Sequence, residues 1–574
     1  MNGYSYNPIP LLKQVSKGFK ALKNFHLSDI RKVFSLMGKT EKIVVMTLAL
    51  GALASLAVSA RGFYIEQTKI IPAVGGSITE GFVGQPQYLN PILATSEVDQ
   101  ALTKLIFSGL YKYGSQGEII PDLAEGMPQI SEDQKSYTIN IKPNAIWHNN
   151  QKLTADDIVF TVNILKNQDF KSPLRGFWQN TLVEKISENT IRFTTKDISG
   201  PFIHNLTLPI IPKNLWEKID PASFLLSENN LKAIGSGPYA IVQINKLPSG
   251  KIESITLSSF SNYHSARANI ETFSIKFYDS ETDQLNALRG HEIDAAGIVP
   301  LFVEDISQIS KNLKELHAAI PQYQIAYFNL NEGLTSQDFI RSALTLATDR
   351  ESLIKEAFNS GKQAPEDPLT KKTLSSTYNF QTASEILDKA GWVMQNGQRQ
   401  KNNQPLGLTI TTSESPSNMK AAQSLQKQWQ NLGIQVNIDI KPSKQLMDDV
   451  IKPRKFQVLI FSQKFGADPD PFFFWHSSQS KDPGLNLTGV SDANLDKLLT
   501  EARNTTNSEN RNIKYAQISQ IINSKNSVIL LNQTDYFYFI NPKVQNINIQ
   551  NLHDVSARFY DLPNWYLETK RVWK

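Results

Sequence analysis

Residues 455–475 of this 574-residue chain read KFQVLIFSQKFGADPDPFFFW. The apolar run at 455–461 is typical of a buried strand. Asp468 and Asp470 each precede a proline, which disfavours the helical region for the residue before it and removes a backbone donor, so we expect both to be extended. The pattern predicts a strand that ends just before an acidic pair. That is the edge of a sheet at which α/β proteins hold ligands.

The chain as a whole has a globular composition with an uneven charge. It is 20% charged and 40% hydrophobic, with a formal net charge of +5. Residues 1–42 hold eight Lys or Arg residues and two acidic ones, so the remainder is close to neutral. This leaves no basic excess for nucleic acid in the larger part of the chain. The absence of Cys excludes disulfides, zinc-thiolate sites and an N-terminal lipid anchor.

The run IVVMTLALGALASLAVSA at residues 43–60 has no charged residue. About 20 residues cover the hydrocarbon core of a membrane, and the basic segment 1–42 would stay in the cytoplasm. We predict an uncleaved single-pass anchor, with the main domain outside the cytoplasm, in the periplasm or at the cell surface. A signal segment cleaved after Ala60 is the alternative, because the run ends in small residues.

After this segment, strand-like runs alternate with amphipathic helical patterns, which predicts an α/β architecture, and the length suggests two lobes. Thr154 with Asp157 has the pattern of a helix-starting capping box, and Gly433 is expected to end a helix. Asn150 sits where a hairpin needs a positive φ, which Asn tolerates. No nucleotide-binding loop, nucleophile elbow or zinc-helix pattern is complete, so we expect no enzyme, cofactor or metal site.

Nine motifs follow one another along the chain from about residue 75. They are QPQYLNPI (85–92), the block from IFSGLYKYGSQGEIIPDLAEG to LTADDIVFTV (106–162), GSGPY (235–239), NYH (262–264), LRGHEID (288–294), YFNLN (327–331), IRSALTLATDRESLI (340–354), AGW (390–392) and DPDPFFFWHS (468–477). In this order they resemble the extracytoplasmic solute-binding proteins of family 5. These are the peptide and nickel receptors of ABC importers.

The resemblance implies a two-lobed periplasmic-binding-protein-like α/β fold (type II, cluster C), here with an N-terminal transmembrane helix. Such proteins close on a ligand like a hinged trap. Two crossings between the lobes are expected near Gln324–Asn331 and near Asn541. The expected segments are a basic cytoplasmic tail (1–42), the anchor or signal segment (43–60), lobe one (73–329, with an inserted subdomain at about 108–234), lobe two (330–542) and a return to lobe one (543–574).

The resemblance also assigns a role to the acidic pair. In peptide-binding members the Asp of this motif pairs with the α-ammonium of the peptide, a charge-assisted hydrogen bond. That role falls on Asp468, with Asp470 as a turn residue. The family run is one residue longer than ADPDP, so the assignment between the two acids stays open. The alternative is that both only cap the turn and the following helix.

Further ligand contacts are implied on both lobes. The expected ligand-binding residues are Lys464, Phe465, Gly466 and Asp468 on lobe two, and Thr95, Ser96, Leu174 and Trp178 on lobe one. The backbone at 464–466 would pair with an extended peptide, and Gly466 would permit its close approach. Phe465 and Trp178 could instead be ordinary core. For the ligand carboxylate the sequence favours no residue, and Arg175 and Arg454 are named only as guesses.

The sequence therefore predicts a membrane-anchored, monomeric binding protein that captures short peptides for the permease of an ABC importer. It predicts no catalysis and no nucleic-acid partner. Nickel chelates, haem or sugars are alternative ligands on the same scaffold. A surface sensor or assembly factor is the alternative from another class.

Overall fold

The computed structural model describes residues 27–574, apart from 116, 171, 173, 300–311, 359–364 and 551. The chain divides into two units. One ends at Ile71 and includes Thr569–Lys574, and the other runs from Pro72 to Glu568. Residues 1–26 of the predicted basic tail lie outside the described residues.

The elements are those of a mixed α/β protein, as predicted. The strands are β1 (Thr68–Ala73), β2 (Ser77–Val83), β3 (Tyr111–Tyr113), β4 (Ile119–Pro121), β5 (Gln129–Ile130), β6 (Ser136–Asn140), β7 (Thr181–Ser187), β8 (Thr190–Thr195), β9 (Tyr239–Lys246), β10 (Ile252–Ser259), β11 (Thr272–Tyr278), β12 (Ala295–Ile298), β13 (Lys314–Phe328), β14 (Val393–Gln395), β15 (Gln398–Lys401), β16 (Gln404–Pro405), β17 (Gly407–Ser413), β18 (Gln435–Lys441), β19 (Val458–Lys464), β20 (Val528–Ile540) and β21 (Glu568–Trp573). The longer α-helices span Leu27–Leu36, Lys39–Gln67, Glu97–Ile106, Ala155–Lys166, Glu281–Arg289, Asp338–Leu346, Arg350–Ala357, Phe380–Lys389, Pro416–Asn431, Ala493–Arg503 and Ser508–Ser524.

In the first unit, the predicted apolar run lies inside the helix Lys39–Gln67. The helix has 29 residues, and its best window reaches a mean hydropathy of 2.2 with no residue buried. By length and composition it could cross a membrane, and a signal sequence would have the same features. The chain continues directly into β1, which pairs with β21.

In the second unit, ten strands form one sheet in the order β18-β17-β19-β13-β20-β12-β2-β11-β10-β9. The two long central strands, β13 and β20, are antiparallel and pair from Lys314 opposite Ile540 to Tyr327 opposite Val528. Their register shifts between Ala319 and Tyr323. Pro321 lies within this interval and has no backbone N–H to donate to the ladder.

Each half of these central strands belongs to a different hydrophobic core. Ile320 of β13 and Tyr536 of β20 pack in the core that contains β2, β10 and β11. Ala326 and Leu531 pack in the core that contains β17 and β19. We call the parts around these cores lobe one and lobe two. The chain therefore passes between the lobes inside β13 and β20, while the predicted domain limits at 329 and 542 stay predictions.

Local signals in the sequence produced the expected local geometry. The backbone N–H of Thr154 donates to the Asp157 carboxylate at 2.9 Å where the helix Ala155–Lys166 begins. Gly433 follows the helix Pro416–Asn431 with a φ of +85°, and Asn150 has a φ of +63°. Trp147, in the hairpin before Asn150, is buried. The predictions at Thr154, Gly433 and Asn150 are confirmed.

Candidate ligand-binding cleft

A cavity of about 340 Å³ lies where lobe one meets the loop after β19 of lobe two. Gly466 and Ala467 form the lobe-two wall, and Leu174 is among the lobe-one residues that line it. Ligand pockets usually occupy about 300–1,000 Å³, so this cavity has room for a small ligand. Two of the predicted contact residues, Gly466 and Leu174, therefore meet at one cavity.

The backbone of the lobe-two wall is available for hydrogen bonding. Strand β19 pairs with β13 as far as Lys464, and the N–H of Phe465 donates to the carbonyl of Pro321 at 2.8 Å. Within the described part of the chain, the N–H groups of Gly466 and Ala467 have no acceptor. Both could bind the main chain of an extended peptide.

On lobe one, the Asp554 carboxylate in the cavity wall is neutralised by neighbouring side chains. The Lys104 ammonium donates to both oxygens of Asp554 at 2.9 and 2.8 Å and to the Ser556 hydroxyl at 2.5 Å. His553 Nε2 lies 3.1 Å from the same carboxylate. Burial acts to raise the pKa of Asp554, but Lys104 and His553 outweigh it and hold that pKa well below its usual range. Asp554 is thus an ionised carboxylate whose oxygens already have partners within the protein.

Asp122, a second carboxylate on this wall, is also neutralised by neighbouring side chains. Asp122 accepts hydrogen bonds from Tyr263 at 2.9 Å and from His264 Nε2 at 3.0 Å, and Lys112 lies 3.4 Å away. Burial opposes ionisation of Asp122, but Lys112 and His264 lower its pKa below the ordinary range. The Lys112 side chain is 23% exposed. Its ammonium is therefore a candidate for the ligand carboxylate, which sequence reasoning missed.

The carboxylate of Asp468 is bonded within the protein. Arg511 Nη2 lies 2.8 Å from Oδ2, and the Tyr515 hydroxyl donates to Oδ1 at 2.7 Å. His204 Nε2 of lobe one lies 3.6 Å from Oδ2. The Asp468 side chain is only 6% exposed. Its predicted role as the ammonium acceptor stays a prediction, and Arg511 would compete with a ligand for it.

Asp470 differs from its predicted extended conformation. Its φ is +24°, and its N–H donates to Asp468 Oδ1 at 3.0 Å. An Asp side chain that bonds the backbone two residues on forms a local turn, and this turn overrides the preference of a residue before proline. Burial, assisted by Asp468 and opposed by Arg503, raises the pKa of Asp470 to about 6.

The remaining predicted contacts lie near the cleft or in the cores. Phe465 is buried between the rings of Tyr323 and Phe474, at 5.6 and 4.9 Å. Trp178 is buried in the lobe-one core. Both side chains have the surroundings of core residues, the alternative left open by the sequence, and their contact with a ligand stays a prediction.

On the helix Glu97–Ile106, Ser96 accepts a hydrogen bond from Asp99 N–H at 3.1 Å as the N-cap, and Thr95 precedes it. Lys464 is exposed at the end of β19. Arg454 bonds the carbonyls of Ser480 and Gly484 at 3.1 and 2.6 Å, which favours a structural role for that guanidinium.

The lobes contact each other at the rim beside Asp468. The N–H of Gly200 donates to the carbonyl of Arg503 at 2.8 Å, and the Thr506 hydroxyl donates to Gln134 at 2.7 Å. The ring of Phe177 meets Phe473 edge-on at 6.2 Å. The described conformation is thus closed at this rim. Within the described ranges, no cluster of three or more His, Asp or Glu residues could hold a metal ion.

Two lobes that share one sheet and close around a cavity define the architecture of an extracytoplasmic solute-binding protein. The family model described as "Bacterial extracellular solute-binding proteins, family 5 Middle" matches residues 118–484, more than half of the chain. The chain belongs to this family, as its motifs predicted. Family members are binding proteins of transport systems and not enzymes, which agrees with the expected lack of catalysis.

Similar proteins include both peptide-binding and nickel-binding members. The oligopeptide-binding protein AppA of Bacillus subtilis is 26% identical over 515 residues, 86% of this chain and 92% of the relative. The nickel-binding periplasmic protein of Escherichia coli is 26% identical over 80% of this chain and 89% of its own length.

Solved structures of the same fold include AppA from Bacillus subtilis in complex with a nonapeptide. It has a TM-score of 0.67 at 24% identity and covers 87% of this chain and 100% of the AppA chain. NikZ from Campylobacter jejuni in complex with Ni(L-His) has a TM-score of 0.69 at 24% identity, over 85% of this chain and 99% of its own. These likenesses confirm the two-lobed fold.

Proposed function

We propose that this protein captures short peptides outside the cytoplasm and delivers them to the permease of an ABC importer. The observation that carries the proposal is the backbone of Gly466 and Ala467 on the wall of the 340 Å³ cavity, whose N–H groups have no acceptor among the described residues. Main-chain hydrogen bonds hold an extended peptide independently of its side chains. The family and the peptide-binding relatives support the same class of ligand.

The mechanism we propose is closure of the lobes around the peptide. The ligand would touch Gly466 and Ala467 of lobe two and Leu174 and Lys112 of lobe one. A ligand shifts a conformational equilibrium only through its different affinity for the two states, so contacts to both lobes favour the closed one. Thr95, Ser96 and Lys464 would border the bound peptide.

We also propose that the helix Lys39–Gln67 tethers the protein to the membrane as a single pass. At about 1.5 Å per residue, its 29 residues exceed the roughly 30 Å of a hydrocarbon core. The intact mass of the protein extracted from membranes tests this proposal. A mature chain that begins after Ala60 would instead identify a cleaved signal segment.

Native mass spectrometry of the purified full chain, with identification of the molecules it releases, tests the ligand class. We expect short peptides. Release of a nickel chelate, a haem or a sugar would overturn the peptide proposal and leave the binding-protein class intact. Gly466→Pro removes one backbone N–H of the cavity wall and should weaken every peptide to a similar degree, whereas Gly126→Pro, at an exposed bend of lobe one, is the control.

The predicted role of Asp468 has its own test. If Asp468 receives the peptide ammonium, Asp468→Asn weakens peptides with a free amino terminus and spares the N-acetylated forms. Equal affinity changes for both forms would show that the carboxylate serves Arg511 and not the ligand.

A further inference from the structure

A second cavity of lobe one, of about 140 Å³, lies at the carboxyl ends of the parallel strands β2 and β12. Its polar lining comes from Glu97, Glu281, Gln284, Tyr536 and Arg558. The carboxyl ends of parallel strands are where α/β proteins hold ligands. One water needs only about 10–15 Å³ of such space, so the cavity can accept a larger polar group.

The carboxylates of this cavity are not neutralised as those of the first cavity are. Within the described part of the chain, Glu281 has neither an ion pair nor a hydrogen bond to its carboxylate. Glu97 Oε1 lies 3.7 Å from Arg558 Nη1. Arg558 is already bound elsewhere, because its Nε and Nη2 donate to Glu80 at 3.0 and 2.7 Å. The cavity therefore keeps an excess of negative charge.

An unpaired hydroxyl adds to this arrangement. Tyr536 lines the cavity and is fully buried, and its hydroxyl has no hydrogen-bond partner among the described residues. It lies so close to Gly297, another lining residue, that a Cβ there would collide with it. A buried hydroxyl without a hydrogen-bond partner destabilises the folded state. Burial also raises the pKa of Tyr536 well above its ordinary value, so the group stays neutral and able to accept a donor.

The directions of the pKa shifts agree with a site for a cation. Burial raises the pKa of Glu97, and Arg558 and the exposed Lys464 offset this only in part. Burial likewise raises the pKa of Glu281. Partial burial thus disfavours both ionised carboxylates, with the Glu97 side chain still 44% exposed, and a cationic group placed between them would remove that penalty.

We propose that this acidic pocket binds an alkylammonium or guanidinium group of the ligand. The inference rests on the proposed peptide function, and it names the class of peptide, one with a cationic side chain or a free amino terminus. The two cavities share one helix, since Glu97 lines the acidic pocket while Gln100 and Lys104, later in the same helix, line the larger cavity. In this proposal, one peptide reaches both cavities.

The experiment measures affinities of the full chain for matched tripeptides by isothermal titration calorimetry. Each peptide carries either lysine or its uncharged analogue norleucine, at each of the three positions in turn, in free and N-acetylated forms. We expect at least one lysine peptide to bind roughly tenfold more tightly than its norleucine partner, the usual gain of a charge-assisted hydrogen bond. The double variant Glu97→Gln/Glu281→Gln should abolish that ratio. Glu253→Gln, an exposed Glu of the same lobe, should keep it.

The acetylated forms identify the source of the cation. If the amino terminus fills the pocket, acetylation weakens norleucine peptides roughly tenfold in the wild type and not in the double variant. If a side chain fills it, acetylation leaves the lysine preference unchanged. The proposal is overturned if neither ratio differs between the wild type and the double variant.

If no tripeptide binds the wild type, the proposed peptide function fails, and n-butylammonium then tests the pocket alone. A rise in the melting temperature of the wild type but not of the double variant, with no rise from n-butanol, supports a cation site. The absence of any rise overturns it.

Discussion

Two acidic regions of this molecule differ in how their carboxylates are paired. Asp468 lies in a motif that resembles one of peptide-binding proteins, yet its carboxylate is bonded to Arg511 and Tyr515. Glu97 and Glu281 lie in none of the nine motifs, and the only ion pair described for them is the 3.7 Å approach of Arg558 to Glu97. The position of an acid in a family motif therefore does not tell whether its charge is free for a ligand. The side chains that the fold places beside the carboxylate decide whether it is available to a ligand.

The largest expected effect comes from Asp468→Asn. The change leaves the Arg511 guanidinium, whose side chain is 7% exposed, without its carboxylate. Breaking a buried ion pair from one side typically costs about 3–5 kcal/mol of unfolding free energy. Chemical denaturation of the full chain measures this loss. Asp448→Asn, which breaks the exposed pair with Lys452, is the control and should cost less than about 1 kcal/mol.

Asp470→Asn should act in the opposite direction, with a pH dependence. The folded pKa of about 6 exceeds the ordinary value of 3.8, so ionisation of Asp470 is harder in the folded state than in the unfolded state. Wild-type stability is therefore lost as the pH rises from about 4 to about 6, by up to roughly 3 kcal/mol. Melting temperatures between pH 3 and pH 8 should show this fall in the wild type and a smaller one in the variant. Parallel curves would contradict the assignment.

The smallest effect is expected from Glu97→Gln/Glu281→Gln in the absence of ligand. The folded pKa of each Glu is raised by burial, so each ionised carboxylate opposes folding above its folded pKa and has no effect once protonated. The double variant should melt slightly above the wild type at pH 8 and equally at pH 3. A lower melting temperature at pH 8 would mean that these carboxylates have internal partners, and the contrast with Asp468 would disappear.

Local rules accounted for much of the fold. The capping box at Thr154, the helix end at Gly433 and the positive φ of Asn150 follow from interactions between residues close in sequence. The strand β19 and the helix around residues 43–60 follow from runs of apolar residues. The order of motifs added the two-lobed arrangement, which the solved structures of the family confirm.

The site could be predicted only in part, because residues that contact each other in it are far apart in sequence. Gly466 and Leu174 were found through motifs, but Lys104 and Asp554 are 450 positions apart. The contact of Asp122 with Tyr263 and His264 joins two motifs, PDLAE and NYH, and only their joint presence could have suggested it. Asp470 departed from expectation because a side-chain hydrogen bond from its own N–H outweighed the effect of the following proline.

The hydrogen bond from Phe465 N–H to the carbonyl of Pro321 has a consequence for movement. Pro321 sits where β13 changes register between the lobes, and Phe465 opens the loop whose next two residues face the cavity. If the lobes part by bending of the sheet at this proline, the hydrogen bond makes the loop move with it. Opening would then withdraw the amides of Gly466 and Ala467 from a guest in the same motion that parts the two halves.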